Sequence, residues 1–245
     1  MNIGIVGGSL QGILISLYLA PEHNVTLFEL DAEIGTPAWH PGYIIDTTLL
    51  EPFLTKEQRT FLLMKKNPSG WGMRWEWLMK HFTILAAQKG VHLRTRTRIC
   101  QTTQDGAITI VETSTNETSQ PTVFPFHHLI NTQIPTQKPG GLQHTIGEGH
   151  CIDFPFPETV PWFGGIISAN HLPPTLPNSP SLLLHRDDNL VELWWNNMNY
   201  WKPPKGYLEE MRTNLPNDVL HTSFDSLHNQ TLDFIETRLR TAHLV

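Results

Sequence analysis

The chain has only two cysteines, Cys100 and Cys151, far apart in 245 residues. That excludes a disulfide-stapled scaffold, and the pair fits no metal or redox spacing. They read as two free, partly buried thiols in a reducing compartment. No run of Lys or Arg is present, and the formal net charge is -6. A nucleic-acid partner is therefore not expected. Long apolar runs are also missing. The stretch Ile13–Ala20 is far too short to span a bilayer. The apolar N-terminus lacks a basic leader region and is interrupted by Gly7, Gly8, Ser9, Gln11 and Gly12. The expectation is a soluble cytoplasmic protein with no membrane partner. Thirteen histidines invite a metal, but no H-E-x-x-H occurs. His127 and His128 are adjacent, so on a strand they point to opposite faces. His144 and His150 lie six apart without a Cys or acid at ligand spacing. No metal is expected. Internal repeats and low-complexity tracts are absent.

What is present is a chain long enough for one large domain or two small ones. Eight Trp and nineteen Pro point to a second half rich in aromatic contacts and irregular backbone. The organised stretch is "NIGIVGGSLQGILISLYLAPEHNVTLFELDAEIG", Asn2 to Gly35. Ile3, Ile5 and Val6 form a short buried strand. Gly7, Ser9 and Gly12 fill the three glycine positions of G-x-G-x-x-G. Ile13, Leu14, Leu17 and Tyr18 follow at helical spacing, and Pro21 stops the helix. Val25, Leu27 and Phe28 make a second strand that ends at Glu29.

Each position has a physical task. Gly7 permits the tight turn, and Gly12 lets the helix approach the strand. The middle position brings a pyrophosphate close to backbone. There Ser9 adds only a Cβ and a hydroxyl that can donate to a phosphate. The helix N-terminus offers unpaired N–H groups and partial positive charge, worth ~0.3–1 kcal/mol or more to an anion. The candidate phosphate cradle is Gly7, Gly8, Ser9, Leu10, Gln11 and Gly12. Glu29, 22 residues after Gly7, is spaced to accept hydrogen bonds from ribose hydroxyls. Its charge repels a 2′-phosphate, which disfavours NADP. The cofactor reading is FAD, with NAD as the alternative.

The segment "VTLFELDAEIG" resembles the extension found in flavoproteins of the glutathione-reductase structural class. There the ribose-binding Glu is followed, after five residues, by a glycine. Glu29 and Gly35 match this spacing, while Thr36 stands where a second glycine often follows. The resemblance implies FAD rather than NAD. It also implies an α/β fold: a Rossmann-like parallel dinucleotide-binding sheet with a second, mixed or antiparallel β-rich region. Downstream, an amphipathic helix over "WGMRWEWLMKHFTILAAQKG" has Trp77, Leu78, His81, Ile84 and Leu85 near one face. Gly90 is its C-cap. A three-stranded excursion over about 91–126 turns at Asp105–Gly106. The strand "HHLIN" returns to the sheet and ends Asn131-Thr132-Gln133, where the class has small residues. The class also has a C-terminal Gly-Asp whose Asp binds the ribityl chain. This sequence has no Gly-Asp; Asp225, after Phe224, stands in the comparable place. It reads first as an ordinary N-cap or turn residue, and as a cofactor contact only by its place in the resemblance. No second G-x-G-x-x-G supports an NADPH insert.

The expected organisation is a dinucleotide-binding domain over 1–134 and 215–245. A substrate or interaction sub-domain covers 135–214. That region is Pro/Gly rich from Pro135 to Pro180, with short strands expected around Trp162–Ser168. A β-hairpin is expected to turn at Asp188–Asn189, and "KGYLEEMRTNL" reads as a helix with Leu208 and Met211 inward. The C-terminus reads as a strand, a turn and a helix with a stripe of Leu232, Ile235, Leu239 and Ala242. Trp194 and Trp195 cannot share a face of a strand, which leaves one exposed for a ligand or partner chain. Trp39 and His40 could contact a ring or substrate, or pack as a turn. Arg74, among Trp71, Trp75 and Trp77, reads as a surface arginine stacked on indole. The expected function is a small FAD-dependent oxidoreductase acting on a small-molecule substrate the sequence does not specify. The alternatives are an NAD-dependent dehydrogenase, and a non-catalytic protein that keeps the fold for a protein partner or homo-oligomer. No catalytic residue is identified.

Overall fold

The computed structural model describes residues 1–35, 39–115, 118–133 and 143–240, with only the backbone of 118–120. Thr36, Ala242 and the "PGG" run at 139–141 lie outside the described residues. The chain divides into two compact units. One comprises Met1–Thr36, Phe82–Phe156 and Gln230–Val245; the other comprises Pro37–His81 and Pro157–Asn229. This division groups 37–81 with 157–229, where the sequence expectation had joined it to the N-terminal domain.

The first unit is built on a five-stranded sheet. Its order is Ile152–Asp153, His128–Asn131, Asn2–Val6, Asn24–Phe28 and His92–Arg94, and all pairs are parallel. The central strand buries Ile3, Ile5 and Val6 completely, as a strand covered on both faces must. Helix Leu10–Leu19 follows it. Nine of its ten residues are buried, so it is apolar nearly all round, a pattern that requires cover on every side. The three-stranded antiparallel excursion is present as Thr97–Asp105, Ile108–Thr115 and Thr118–Phe126. Gly106 makes its first turn at φ +60°. Ile99, Val111 and Phe126 of the excursion pack with Val6, Phe28 and Leu129 of the sheet.

The second unit holds an antiparallel sheet in the order Leu182–His185, Leu190–Trp195, Val160–Ser168, Glu209–Leu215. A smaller sheet pairs Tyr43–Ile44, Gly70–Gly72 and Lys65–Asn67. The hairpin turns where expected, closed by Arg186 N–H on the Leu190 carbonyl with Asn189 at φ +60°. Alternation along the strands builds two apolar layers. Trp162, Leu184, Trp194 and Tyr43 form one; Ile167, Val191, Leu193 and Trp195 form the other, covered by Tyr200, Trp201 and Tyr207. Trp194 and Trp195 do point to opposite faces, but both faces are covered and neither ring is exposed.

Three further expectations are corrected. Glu209–Leu215 is a strand, not a helix. Glu, Met, Arg and Leu favour helix locally, but pairing with Val160–Ser168 overrides that preference. Met211 is buried; Leu208 is 69% exposed. The outward Glu209, Glu210 and Arg212 suit an edge strand. The long amphipathic helix spans Trp75–Gln88, and Gly70–Gly72 before it is a strand. It buries Trp75, Leu78, Met79, Phe82 and Ala86, while Ile84 is 51% exposed. The apolar stripe is therefore rotated from the one expected, because the aromatics Trp77 and His81 pack with the half-exposed Phe61. Near the C-terminus, Val219–Thr222 is a 3-10 turn rather than a strand. Helix Phe224–Phe234 follows, then a wider turn over Ile235–Leu239. No helix among the described residues is long and apolar enough to cross a membrane.

Candidate nucleotide site

The turn after the first strand is fixed from below by the end of the return strand. Gly7 N–H donates to the Phe28 carbonyl at 2.9 Å, and Gly7 sits at φ +99°. A Cβ there would lie 2.9 Å from the backbone of Gln133. Thr132, fully buried, donates its hydroxyl to the Val6 and Gly7 carbonyls at 3.0 and 2.9 Å. Ser9 donates to the Thr132 carbonyl at 3.2 Å and accepts from Gly12 N–H at 3.2 Å. Ser9 is thus the N-cap of helix Leu10–Leu19. Its one hydrogen goes to the neighbouring strand, so the hydroxyl that could have met a phosphate is holding the turn. Gly12 has no room for a side chain: a Cβ would stand 2.2 Å from the Gly7 carbonyl oxygen and 2.6 Å from Thr132 Oγ1.

The tightest approach from above falls on Gly8. Its N–H donates to Glu29 Oε2 at 2.7 Å, and a Cβ there would meet that oxygen and the buried Ile34 at 2.7 and 2.8 Å. Glu29 Oε1 accepts from Asp31 N–H at 3.0 Å. The ELDAEIG segment therefore folds back over the turn, and Gly35 ends the fold-back at φ +72°. Burial raises the Glu29 pKa above its ordinary value, opposed by the Asp31 and Gly8 N–H groups. Leu10 and Gln11 are both buried, and their backbone N–H groups have no partner among the described residues. Unpaired donors at a buried helix N-terminus are the arrangement that accepts an anion. The unpaired N–H groups suit a phosphate; both Glu29 oxygens already accept backbone N–H groups, so a ribose hydroxyl would have to displace one of them.

Asp225 lies in the other unit. Its two oxygens accept from Ile45 N–H at 2.7 Å and Asp46 N–H at 2.8 Å. It clamps the end of strand Tyr43–Ile44. Thr132 and Gly8 were not picked out from the sequence as structural parts of the turn. The signal for Thr132 was its place at the end of the return strand; that for Gly8 was an extra glycine beside the pattern.

Elsewhere, Arg74 pairs with Glu76 at 2.5 Å and stacks 5.5 Å over Trp77, as a surface arginine does. His40 stacks on Trp75 with ring centroids 4.2 Å apart. Burial lowers its pKa to about 4 against a hydrogen bond from the ring to the Pro41 carbonyl. Cys100 and Cys151 are free thiols, and burial beside Asp153 pushes Cys151 up to about 12. No group of three His, Cys, Asp or Glu suited to a metal occurs among the described residues.

Neither a family model nor a curated protein matches the sequence. Solved structures do match the fold. A geranylgeranyl bacteriochlorophyll reductase-like protein of Thermoplasma acidophilum aligns with 88% of this chain at TM-score 0.61 and 10% identity. The p-nitrophenol 4-monooxygenase PnpA of Pseudomonas putida aligns with 94% at TM-score 0.60 and 12% identity. A flavoprotein/dehydrogenase of Cytophaga hutchinsonii aligns with 79% at TM-score 0.51 and 12% identity. The chain spans 66%, 76% and 55% of those three proteins' lengths. At such identities the likeness is one of fold: a parallel sheet with separate antiparallel sheets.

Proposed function

We propose that this chain is a small FAD-dependent oxidoreductase of the glutathione-reductase structural class. The observation that carries the reading is the turn between strand and helix. There the Leu10 and Gln11 N–H groups stand unpaired at a buried helix start, beside an acid ending the second strand. Gly7, Gly8, Ser9, Leu10, Gln11 and Gly12 would cradle the pyrophosphate. Glu29 would exchange Gly8 N–H for the ribose hydroxyls, and Gly35 would close the fold-back. Flavin, when bound, supplies the redox chemistry; the chain supplies binding, orientation and electrostatics. The negative Glu29 disfavours the extra phosphate of NADP. A reducing, cytoplasmic setting suits the two free thiols. The fold-level likeness to a protein described as a flavoprotein/dehydrogenase, and to a monooxygenase and a reductase-like protein, supports the same class. The substrate region is assigned to the second unit.

A second reading has one observation in its favour. Both oxygens of Asp225 are taken by backbone, so the residue at the place of the ribityl-binding acid is otherwise employed. On that reading the chain keeps the fold for a protein partner and carries no flavin. The test is the absorption spectrum of purified protein, followed by fluorescence titration with FAD and NAD. A flavin spectrum or saturable FAD binding supports the first reading, and NAD binding alone supports a dehydrogenase. A colourless protein that binds neither leaves the second.

A further inference from the structure

The antiparallel sheet of the second unit has one closed edge and one open edge. At Leu182–His185 the chain closes the edge itself. Asn67 Nδ2 donates to the His185 carbonyl at 3.1 Å, and Asn67 Oδ1 accepts from His185 N–H at 2.8 Å. Just beyond, Asp187 N–H donates to the Leu63 carbonyl at 2.9 Å. At the opposite edge Glu209–Leu215 pairs on one side only, with Val160–Ser168. Glu209, Glu210, Arg212 and Asn214 are all exposed there. Among the described residues no hydrogen bond reaches the outer side of this strand. Its seven residues make a full-length strand, and its outer backbone groups form a template for another one.

Charges on an open edge ordinarily repel an incoming strand. Here their order admits one particular strand, a copy of the same one. Opposed residues in an antiparallel pair direct their backbone groups alike, so a two-fold axis must set one residue opposite its own copy. With Met211 at that point, Glu210 lies opposite Arg212 of the second copy, and Arg212 lies opposite Glu210 of the second copy. The pairing then runs on to Leu208, 69% exposed, which comes opposite Asn214. Centring on Glu209, Glu210 or Arg212 instead sets like charges face to face. Both charged side chains are available. Arg212 Nη2 is 3.5 Å from Glu210 Oε1 in its own chain, and the side chains stay 67% and 44% exposed. The guanidinium is steadied 5.3 Å over the ring of Phe163 on the paired strand.

We propose that Glu209–Leu215 is a homodimer interface: a second copy of this chain lays its own Glu209–Leu215 antiparallel on this edge, centred on Met211, and joins the two sheets into one. Backbone hydrogen bonds supply the affinity. The two symmetric Glu210–Arg212 pairs fix the register, as opposite charges do across strands. The two-fold uses up both open edges, so assembly stops at two copies. The interface is independent of the flavin reading, since neither the strand nor its charges belong to the nucleotide turn.

The experiment is sedimentation velocity on the full-length protein, from micromolar to near-millimolar concentration, at low and high salt. The expected result is a monomer–dimer equilibrium that salt weakens, because exposed charge pairs are screened. Glu210→Arg and Arg212→Glu each set like charges opposite one another at two places, and each should weaken the dimer roughly tenfold or more. The double variant Glu210→Arg/Arg212→Glu restores opposite charges with their places exchanged and should regain the dimer. Amide hydrogen exchange on the wild type needs no variant. Exchange over residues 209–213 should slow as the dimer forms, while exchange at Leu182–His185 should not. A monomer at every concentration overturns the proposal. So does a dimer indifferent to the single reversals, a double variant as weak as the singles, or exchange over 209–213 that dimer formation leaves unchanged.

Discussion

At the scale of residues, the turn distributes its tasks differently from the standard pattern. The pattern asks for glycine at position 9, where this chain has Ser9. The close approach falls on Gly8, against Glu29 and Ile34, while Ser9 serves as cap and as tie to Thr132. Gly12 is the least replaceable. The atoms a side chain would strike are the Gly7 backbone and a hydroxyl already bonded twice. Gly12→Val should lower stability by about 3 kcal/mol or more, beyond the usual range for overpacking that side chains can relieve. It should also abolish nucleotide binding. Thermal melts and FAD titration check both, and a folded variant with unchanged affinity overturns the site. Glu29 gives a pH signature. Its native pKa is raised above the ordinary 4.5, so the native state holds the proton more tightly than the unfolded chain does. Its contribution is present below 4.5 and is lost as pH rises through the native value. Without nucleotide, urea stability of wild type relative to Glu29→Gln should therefore fall as pH rises from 4.5. A pH-independent difference contradicts this. With FAD, Glu29→Ala should cost roughly 1–3 kcal/mol of binding, the scale of hydrogen bonds to a charged group.

At the scale of elements, the hairpin Leu182–His185/Leu190–Trp195 does more than complete a sheet. Its turn and second strand supply Arg186, Asp188 and Glu192, which hold the Gly42 loop. Arg186 and Glu192 have side chains only 3% and 4% exposed. Removing one partner of such a pair strands a buried charge, which costs about 3–5 kcal/mol. Glu192→Ala should show that loss in urea unfolding. Glu51→Ala, which breaks the open Arg59–Glu51 pair, should change stability by less than about 1 kcal/mol. Similar losses for both variants would mean that the buried pair is not what fixes the loop.

At the scale of the whole molecule, a ligand that binds only the native state reports on the fold that makes its site. FAD at about a hundredfold over its dissociation constant should add ~2.7 kcal/mol to stability. In a thermal melt FAD should raise the midpoint at lower concentration than NAD. NADP should do little, because Glu29 faces its extra phosphate. A melt untouched by all three removes the oxidoreductase reading and leaves the non-catalytic one.

The sequence by itself determined the features whose information is local. The strand, turn, helix and strand of residues 2–29, the excursion with its Asp105–Gly106 turn, and the hairpin at Asp188–Asn189 follow from hydrophobic period and turn chemistry within a few residues. The spacing of Glu29 from Gly7 was legible for the same reason. Tertiary structure decided the rest. The hydroxyl of Ser9 goes to Thr132, 123 residues away; Gly42 is held by Glu192, 150 away; Ile45 is held by Asp225, 180 away. Glu209–Leu215 became a strand because a partner strand at Val160–Ser168 offered a ladder that its own helix-forming residues could not outweigh. Trp194 and Trp195 were both buried because segments beyond the strand covered both faces. A side chain's hydrogen-bond partner and its cover depend on which distant backbone arrives beside it, and no local period in the sequence encodes that arrival.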